Sequence, residues 1–364
     1  MNKRILIVNT FGIGDVLFTT LLVKTLKKSM PDADIDFMCN ERAQYIFRDN
    51  GNIRDIIIFE KDEFRKAFRD SKIGFIGKLA AFIKKLKSKR YDLLIDLSLG
   101  YQLSLLMKLL GVKKRIGFNF KGRGRFLTEA ITIDGFSDKH VIDYYLDVLK
   151  LLGIGKCADK ELEFALSEEL EGWAAGFMKE RGLSGRTVIG LAPGGGKSWG
   201  GDASYRRWAP ENFSYVARKI TEKFPDVYFF IFGSGEESCL CRKIEKDLAG
   251  RVTDLCGRLT LSQSAALIKR CSLMVCNDGG ILHISVSQKV RTVSIFGPVD
   301  DRVYGPYPGS PRDKVAVAKD VKCRPCYSGF KHNICEVHDC LKKIDREAVL
   351  RMAEENLKER YKDR

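Results

Sequence analysis

The sequence predicts an α/β protein made of two Rossmann-like halves, each a mostly parallel, doubly wound sheet. Three observations predict this. Short apolar runs alternate with helix-like segments, the alternation starts again past residue 160, and glycine turns follow several of the runs. At 364 residues the chain is also too long for one ordinary core.

In the first half the strand-like runs are Ile5 to Val8, Ile35 to Met38, Asp55 to Phe59, Leu93 to Leu97 and Ile131 to Ile133. The first run passes through Gly12 and Gly14 into apolar Val16, Leu17, Leu21, Leu22 and Leu26, the pattern of a buried strand entering an amphipathic helix. A dinucleotide fingerprint needs a third glycine where Leu17 stands, so an NAD dehydrogenase is not supported. Asp15 is foreign to an anion-binding turn. Taken alone it reads as a cap for the helix N–H groups.

A charged helix from Ser167 to Arg181 opens the second half, followed by runs at Val188 to Leu191, Val227 to Phe232, Leu273 to Cys276 and Thr292 to Phe296. The boundary falls near Cys157 to Leu166, giving domains at 1–160 and 161–344. Residues 345–364 form a terminal helix, with Asp345 as its cap and Val349, Leu350, Met352 and Leu357 as its apolar face.

No apolar run approaches the ~20 residues of a membrane span, and Met1-Asn-Lys-Arg4 leads straight into a core-type strand without a leader-like stretch. The expectation is a soluble, cytoplasmic protein. Eleven cysteines argue against a disulfide scaffold at this length, and Cys39, Cys271 and Cys276 lie in apolar segments as reduced core thiols do. The net charge of +16 is concentrated: between Lys61 and Arg125 there are 18 Lys and Arg against 5 Asp and Glu, which points to an anionic partner for that surface. In the same stretch Phe64, Phe68, Phe75, Ile76, Leu79, Phe82, Ile83 and Leu86 recur at near-helical spacing among lysines. Such a stripe faces either the core or an anionic bilayer. No RNA-binding aromatic signature, zinc finger or helix-turn-helix accompanies the basic pI, so nucleic acid is not the expected partner.

Four stretches of the second half hold candidate chemistry. Leu191-Ala-Pro-Gly-Gly-Gly-Lys-Ser-Trp-Gly-Gly201 resembles a phosphate loop, but Leu191 occupies the position where Walker A needs glycine; it reads as an anion-cradling loop or a flexible connection. Asn277-Asp-Gly-Gly-Ile-Leu-His283 places a helix N-terminus after a strand, a site for a diphosphate, with Asp278 and His283 beside it. Phe232-Gly-Ser-Gly-Glu-Glu237 ends a strand with two carboxylates that suit either a helix dipole or a ribose diol. Cys323-Arg-Pro-Cys326 with Cys335 and Cys340 hints at zinc, but the second pair has four intervening residues and His332 and His338 complicate the count; packed reduced thiols are the default reading.

In order along the chain, Gly14-Asp15, Tyr91-Asp-Leu-Leu-Ile-Asp-Leu97, Lys114-Arg-Ile-Gly117, Arg207-Trp-Ala-Pro-Glu-Asn212, Asn277-Asp-Gly-Gly-Ile-Leu-His283, Phe296-Gly-Pro298 and Cys323-Arg-Pro-Cys326 resemble the ADP-heptose:lipopolysaccharide heptosyltransferases of glycosyltransferase family 9. The resemblance implies a GT-B fold with the active site in a central cleft and the terminal helix crossing back to the first domain. It implies Asp15 as catalytic base. Gly194, Gly195, Arg206, Glu236 or Glu237, Leu259, Asp278, Gly279, Gly280 and His283 would bind the donor, and Gly14, Lys114, Arg115, Lys121, Arg123 and Arg125 belong to the acceptor half. Arg206 stands where the family commonly has Lys, and Gly279 replaces a Thr. The implied reaction is inverting transfer of heptose from ADP-heptose to an anionic, lipid-linked inner-core glycan at the cytoplasmic face of the inner membrane, with no cofactor and no catalytic metal. The alternative keeps fold and mechanism but changes the nucleotide-sugar or the surface-glycan acceptor.

Overall fold

The computed structural model describes residues 2–155, 159–196, 200–248, 250–332 and 335–362. Cys157 of the expected boundary and Lys197, Ser198 and Trp199 of the glycine loop lie outside them. The chain divides after residue 159 into two units, except that residues 137–140 join the second.

In the first unit the elements are β1 (Arg4–Val8), α1 (Ile13–Ser29), β2 (Asp34–Cys39), β3 (Asp55–Ile58), α2 (Lys61–Asp70), α3 (Lys72–Lys89) and β4 (Leu93–Asp96). They continue with α4 (Gln102–Leu109), β5 (Lys114–Phe120), β6 (Glu129–Ile133) and α5 (Val141–Lys150). The strands form one parallel sheet in the order β3-β2-β1-β4-β5-β6. Val8, at the end of β1, is in register with Met38 on one side and Asp96 on the other. Leu6, Val8, Met38, Leu94, Leu103 and Met107 form a core on the sheet.

The long apolar stripe is two helices, not one. Ser71 ends α2 and caps α3, its hydroxyl accepting the Gly74 N–H at 3.1 Å. Phe59, Phe64 and Phe82 pack together at ring separations of 5.2 to 5.5 Å. Near the turn Phe68, Ile73 and Ile76 remain exposed.

The second unit runs α6 (Glu168–Glu180), β7 (Val188–Ala192), α7 (Pro210–Lys223), β8 (Tyr228–Ile231), α8 (Ser238–Asp247), β9 (Val252–Asp254), α9 (Leu261–Ile268) and β10 (Leu273–Asn277). After these come α10 (Gly280–Ser287), β11 (Arg291–Phe296), α11 (Asp301–Tyr304), β12 (Asp313–Val317), β13 (Tyr327–Ser328), β14 (Lys331–His332), α12 (Asp339–Lys342) and α13 (Arg346–Lys362). The sheet order β12-β11-β10-β7-β8-β9 repeats the winding of the first unit. Strands β5, β9 and β12 were not among the apolar runs read from the sequence.

The terminal helix begins as expected, with the Asp345 carboxylate accepting the N–H groups of Glu347 and Ala348 at 2.9 and 3.2 Å. Val349, Leu350, Ala353 and Leu357 are buried in the core of the second unit, and Asn356 donates to the carbonyls of Thr292 and Arg312. Burying each large apolar side chain stabilises by about 1.5–3 kcal/mol, which is enough to hold the helix on this core.

Cys39, Cys271 and Cys276 are free, buried thiols, and burial pushes their pKa values up, so they stay protonated. Cys241 and Cys256 form a disulfide that the sequence did not announce.

Candidate active site

In a doubly wound sheet the loops at the strand C-termini diverge where the strand order reverses, leaving a crevice there. In the first unit that point lies between β1 and β4. Asn9, buried at the end of β1, accepts the Phe11 N–H at 3.1 Å and donates to the Asp15 carbonyl at 3.1 Å and the Tyr145 hydroxyl at 3.4 Å. Asn40, after β2, donates to the Phe11 carbonyl and accepts the Ala43 N–H at 3.0 Å. The two asparagines pin the turn from opposite sides. Gly12 occupies the cap position of α1 without a side-chain bond, and Gly14 and Asp15 lie inside the first helical turn, so Asp15 is not the cap residue.

Asp96 ends β4 beside this turn. One carboxylate oxygen accepts the Ser98 N–H at 2.9 Å and the Ser98 hydroxyl at 2.6 Å, while the other is buried without a partner. Burial raises its pKa to about 6 against the opposing pull of those bonds. Gly117 of β5 has to be glycine: a Cβ there would stand 2.1 Å from the Asp96 carbonyl oxygen.

The basic residues of the acceptor half separate into two kinds. Lys114 pairs with Glu129 at 3.0 Å and bonds the Leu151 carbonyl, and Arg115 donates to the carbonyls of Phe126, Val112 and Lys113. Both are engaged in holding the fold. Lys121, Arg123 and Arg125, in the loop after β5, are exposed and lie over aromatic rings, Arg125 at 4.9 Å from Tyr101 and 5.0 Å from Phe126.

In the second unit the strand order reverses between β7 and β10. Asn277, the last residue of β10, donates to the Pro193 carbonyl at 2.7 Å and accepts the Trp208 N–H at 3.1 Å, joining the two loops. Arg206 ends the 3-10 turn Gly200–Arg206 and forms a buried ion pair with Asp278 at 2.8 Å. Burial raises the Asp278 pKa and the Arg206 charge opposes the rise. Next to Asp278, Gly279 caps α10 without a side-chain bond and Gly280 begins the helix, so its first N–H groups and its dipole face outward from the loop. His283 is buried one turn later. Burial, then the charges of His140 and Arg206, lower its pKa to about 3, so it is neutral at physiological pH.

The two glutamates also differ. Glu237 is buried and accepts the N–H groups of Ser234 at 2.8 Å and Gly196 at 3.1 Å; it braces the loops, whereas Glu236 lies exposed. Gly194 packs so closely on Glu237 that a Cβ would fall 2.0 Å from its carboxylate, and Gly195 sits against Arg206 and Gly279. Leu259 is half-buried just before α9, in a loop whose Gly257 abuts Gly235.

Asn9, Asn40, Asp96 and Asn277 were missed as organising residues. The three asparagines share a signal that was available: each stands at the C-terminal end of a parallel strand.

The repeated winding, with a glycine turn at each point of strand reversal, makes this a protein of two Rossmann-type units, the second presenting an uncapped helix N-terminus at its turn. The chain belongs to glycosyltransferase family 9 (heptosyltransferase), whose sequence profile matches residues 79–333. It is therefore a glycosyltransferase, and its two doubly wound units are of the GT-B type. Over 360 residues it is 27% identical to lipooligosaccharide heptosyltransferase 2 of Campylobacter jejuni, covering 95% of this chain and 96% of that one. The solved glycosyltransferase family 9 protein of Veillonella parvula matches with a TM-score of 0.81 at 24% identity, over 99% of this chain and 98% of that one. An Escherichia coli heptosyltransferase determined with ADP-2-deoxy-2-fluoro heptose matches with a TM-score of 0.70 at 18% identity, over 97% and 99%.

Proposed function

We propose that this chain transfers heptose from ADP-heptose to an anionic lipopolysaccharide inner-core acceptor, inverting the anomeric carbon without a catalytic metal. The observation that carries the reading is the buried Arg206–Asp278 pair at the uncapped N-terminus of α10. Helix N–H groups and a guanidinium beside them suit a departing diphosphate, supplying the charge stabilisation that a divalent cation provides in other transferases. Gly194, Gly195, Gly279 and Gly280 let the backbone approach the phosphates, Glu236 is the exposed carboxylate for the ribose, and Leu259 lies against the adenine. Neutral His283 offers a hydrogen bond to the donor.

Asp15 is the base in this reading. Its carboxylate takes the proton of the acceptor hydroxyl while that oxygen bonds to the anomeric carbon and the bond to ADP breaks; a single displacement inverts the centre. Exposed Lys121, Arg123 and Arg125 suit phosphorylated core sugars. The tip of the α2–α3 hairpin, with Phe68, Ile73 and Ile76 exposed among Arg65, Lys66, Arg69 and Lys72, suits peripheral contact with the anionic cytoplasmic face of the inner membrane.

The test is transfer from ADP-heptose to a deacylated inner-core acceptor in EDTA, for the native chain and Asp15→Asn. Native turnover in EDTA, with a loss of roughly 10²–10⁴-fold in the variant and intact ADP binding, is the expected result. Turnover that needs added magnesium, or that survives in Asp15→Asn, refutes the mechanism. One observation favours a second reading with another nucleotide-sugar. A Cβ at Gly279 would meet the Gly195 carbonyl at an ordinary 3.4 Å, so crowding does not explain the absence of the family's Thr. Tighter binding of UDP than of ADP would select that reading.

A further inference from the structure

Cys241 lies in α8 and Cys256 just past β9, and among the described residues theirs is the one disulfide; the other eight described cysteines, Cys323, Cys326, Cys335 and Cys340 among them, are free thiols. Cys241 is fully enclosed and Cys256 is 6% exposed. Little room surrounds the bond. A Cβ on Gly233 would stand 2.9 Å from the Cys256 sulfur, 3.4 Å from that of Cys241 and 3.4 Å from the Glu237 carboxylate. Asp254 is a further close neighbour: a carboxylate oxygen and the two sulfurs lie within 4.8 Å of one another, and Oδ1 accepts the Cys256 N–H at 2.9 Å.

The disulfide ties two loops together. On one side the turn after β8, through Gly233 and Gly235, leads to exposed Glu236 and to Glu237, which accepts the N–H groups of Ser234 and Gly196. On the other side the chain past β9 carries Leu259 to the start of α9. The Gly257 N–H donates to the Gly233 carbonyl at 2.9 Å, and the Leu255 N–H to that of Ile231 at 2.9 Å. Gly257, at a φ of +70°, comes so near Gly235 that a Cβ would be 2.7 Å from its Cα. Of these ties only the disulfide is covalent.

We propose that Cys241 and Cys256 form a redox-exchange site, with a dithiol as reductant and a small disulfide as oxidant, that sets how firmly the Glu236–Glu237 turn and the Leu259 loop are held. In reduction a thiolate of the dithiol attacks the Cys256 sulfur, the less enclosed of the two, and the S–S electron pair leaves on the Cys241 sulfur, which takes up a proton. The dithiol's second sulfur, giving up its proton, then attacks the mixed disulfide; Cys256 is released and protonated, and the reductant closes its own disulfide. Two electrons and two protons thus pass from the dithiol to the pair. Two thiols need more room than a bonded pair, and Gly233 leaves none, so the reduced sulfurs press on the turn that carries Glu237. The Asp254 carboxylate disfavours thiolate at either sulfur, which slows exchange in both directions and lets each state persist. For its consequence the inference rests on the donor reading, in which Glu236 and Leu259 hold the nucleoside. That reading puts the chain in a reducing compartment, where a disulfide is a redox-sensing bond and not a permanent one. Reduction then weakens ADP binding, and oxidation restores it.

The test uses the purified full chain in two states, treated with oxidised glutathione or with dithiothreitol. Peptide mass spectrometry after alkylation in denaturant should find Cys241 joined to Cys256 in the first state and both alkylated in the second. Without nucleotide, amide hydrogen exchange at residues 233–237 and 255–260 should speed up roughly tenfold on reduction while β7 and β10 stay protected. In calorimetry the reduced chain should bind ADP about tenfold more weakly, and reoxidation should restore the affinity. The double variant Cys241→Ser, Cys256→Ser should match the reduced chain and not respond to dithiothreitol, whereas Cys239→Ser should respond as the native chain does. The native chain in its two states carries the test if the double variant misfolds. Thiols at 241 and 256 after oxidation overturn the proposal, as does exchange that is unchanged in the two loops, or that rises throughout the second unit as loss of a purely structural bond would cause. Faster loop exchange in a chain that binds ADP in neither state supports the redox coupling and refutes the donor reading.

Discussion

Arg206 reaches Asp278 twice, with Nη2 at 2.8 Å from the carboxylate Oδ2 and at 2.9 Å from the backbone carbonyl. Both residues are buried, so removing the guanidinium leaves a carboxylate without water or partner charge. Arg206→Ala is expected to lose about 3–5 kcal/mol of stability in urea titration and to weaken ADP binding in calorimetry. Arg206→Lys restores the charge but not the two-point contact, and falls between. A loss below about 1 kcal/mol in Arg206→Ala would mean the pair is not a support of this site.

The glycines of the donor loops differ in how much room surrounds them, which predicts a graded series. A methyl at Gly194 meets the Glu237 carboxylate at 2.0 Å, one at Gly195 meets the Arg206 Cβ at 3.3 Å, and one at Gly279 finds ordinary contact at 3.4 Å. Gly194→Ala should displace the brace between Ser234 and Gly196, costing roughly 1–3 kcal/mol and the same order in ADP affinity. Gly279→Ala should be nearly silent in both. Equal effects at 194 and 279 would contradict the order.

Asp96 predicts a pH effect with a definite sign. Its folded pKa of about 6 lies above the ordinary carboxylate value, so the folded chain holds an extra proton between about pH 4 and 6 and stability falls as pH rises through that window. Asp96→Asn should remove this slope and gain on the order of 1–3 kcal/mol at pH 7, read from unfolding midpoints at pH 4.5 and 7. An unchanged slope in the variant would show that Asp96 is not its source.

At the hairpin tip, Phe68, Ile73 and Ile76 are 57%, 84% and 62% exposed, so replacing all three with serine should shift stability by no more than about 0.5 kcal/mol each. Co-sedimentation with vesicles containing phosphatidylglycerol should nevertheless be lost, and native binding should weaken in high salt and on neutral vesicles. Sedimentation of the triple variant at the native level would rule out this tip as the membrane contact.

Most central strands were legible because parallel strands buried on both faces read as unbroken apolar runs, as β1, β4, β7 and β10 do. Edge strands β9 and β12 were not: each is short or has partly exposed residues, and their sequences resemble loops. β5 was hidden by Lys114 and Arg115 at its start. The break at Ser71 was missed because apolar spacing continues across it from one helix to the next.

The glycine turns were readable for a local reason: the backbone at a tight approach tolerates no Cβ, and that demand is written at the position itself. The sequence alone thus determined two repeated αβ windings, the turns that follow their first strands, and the identity of the acidic and basic candidates. Only the tertiary structure decided which of them are buried and braced. Glu237 rather than Glu236 meets Gly196, 41 positions away; Arg206 meets Asp278 across 72; and the Asp96 pKa rises because distant strands close over its carboxyl. Desolvation and pairing belong to the assembled packing, where residues remote in the chain remove water from one another, and no local spacing encodes that.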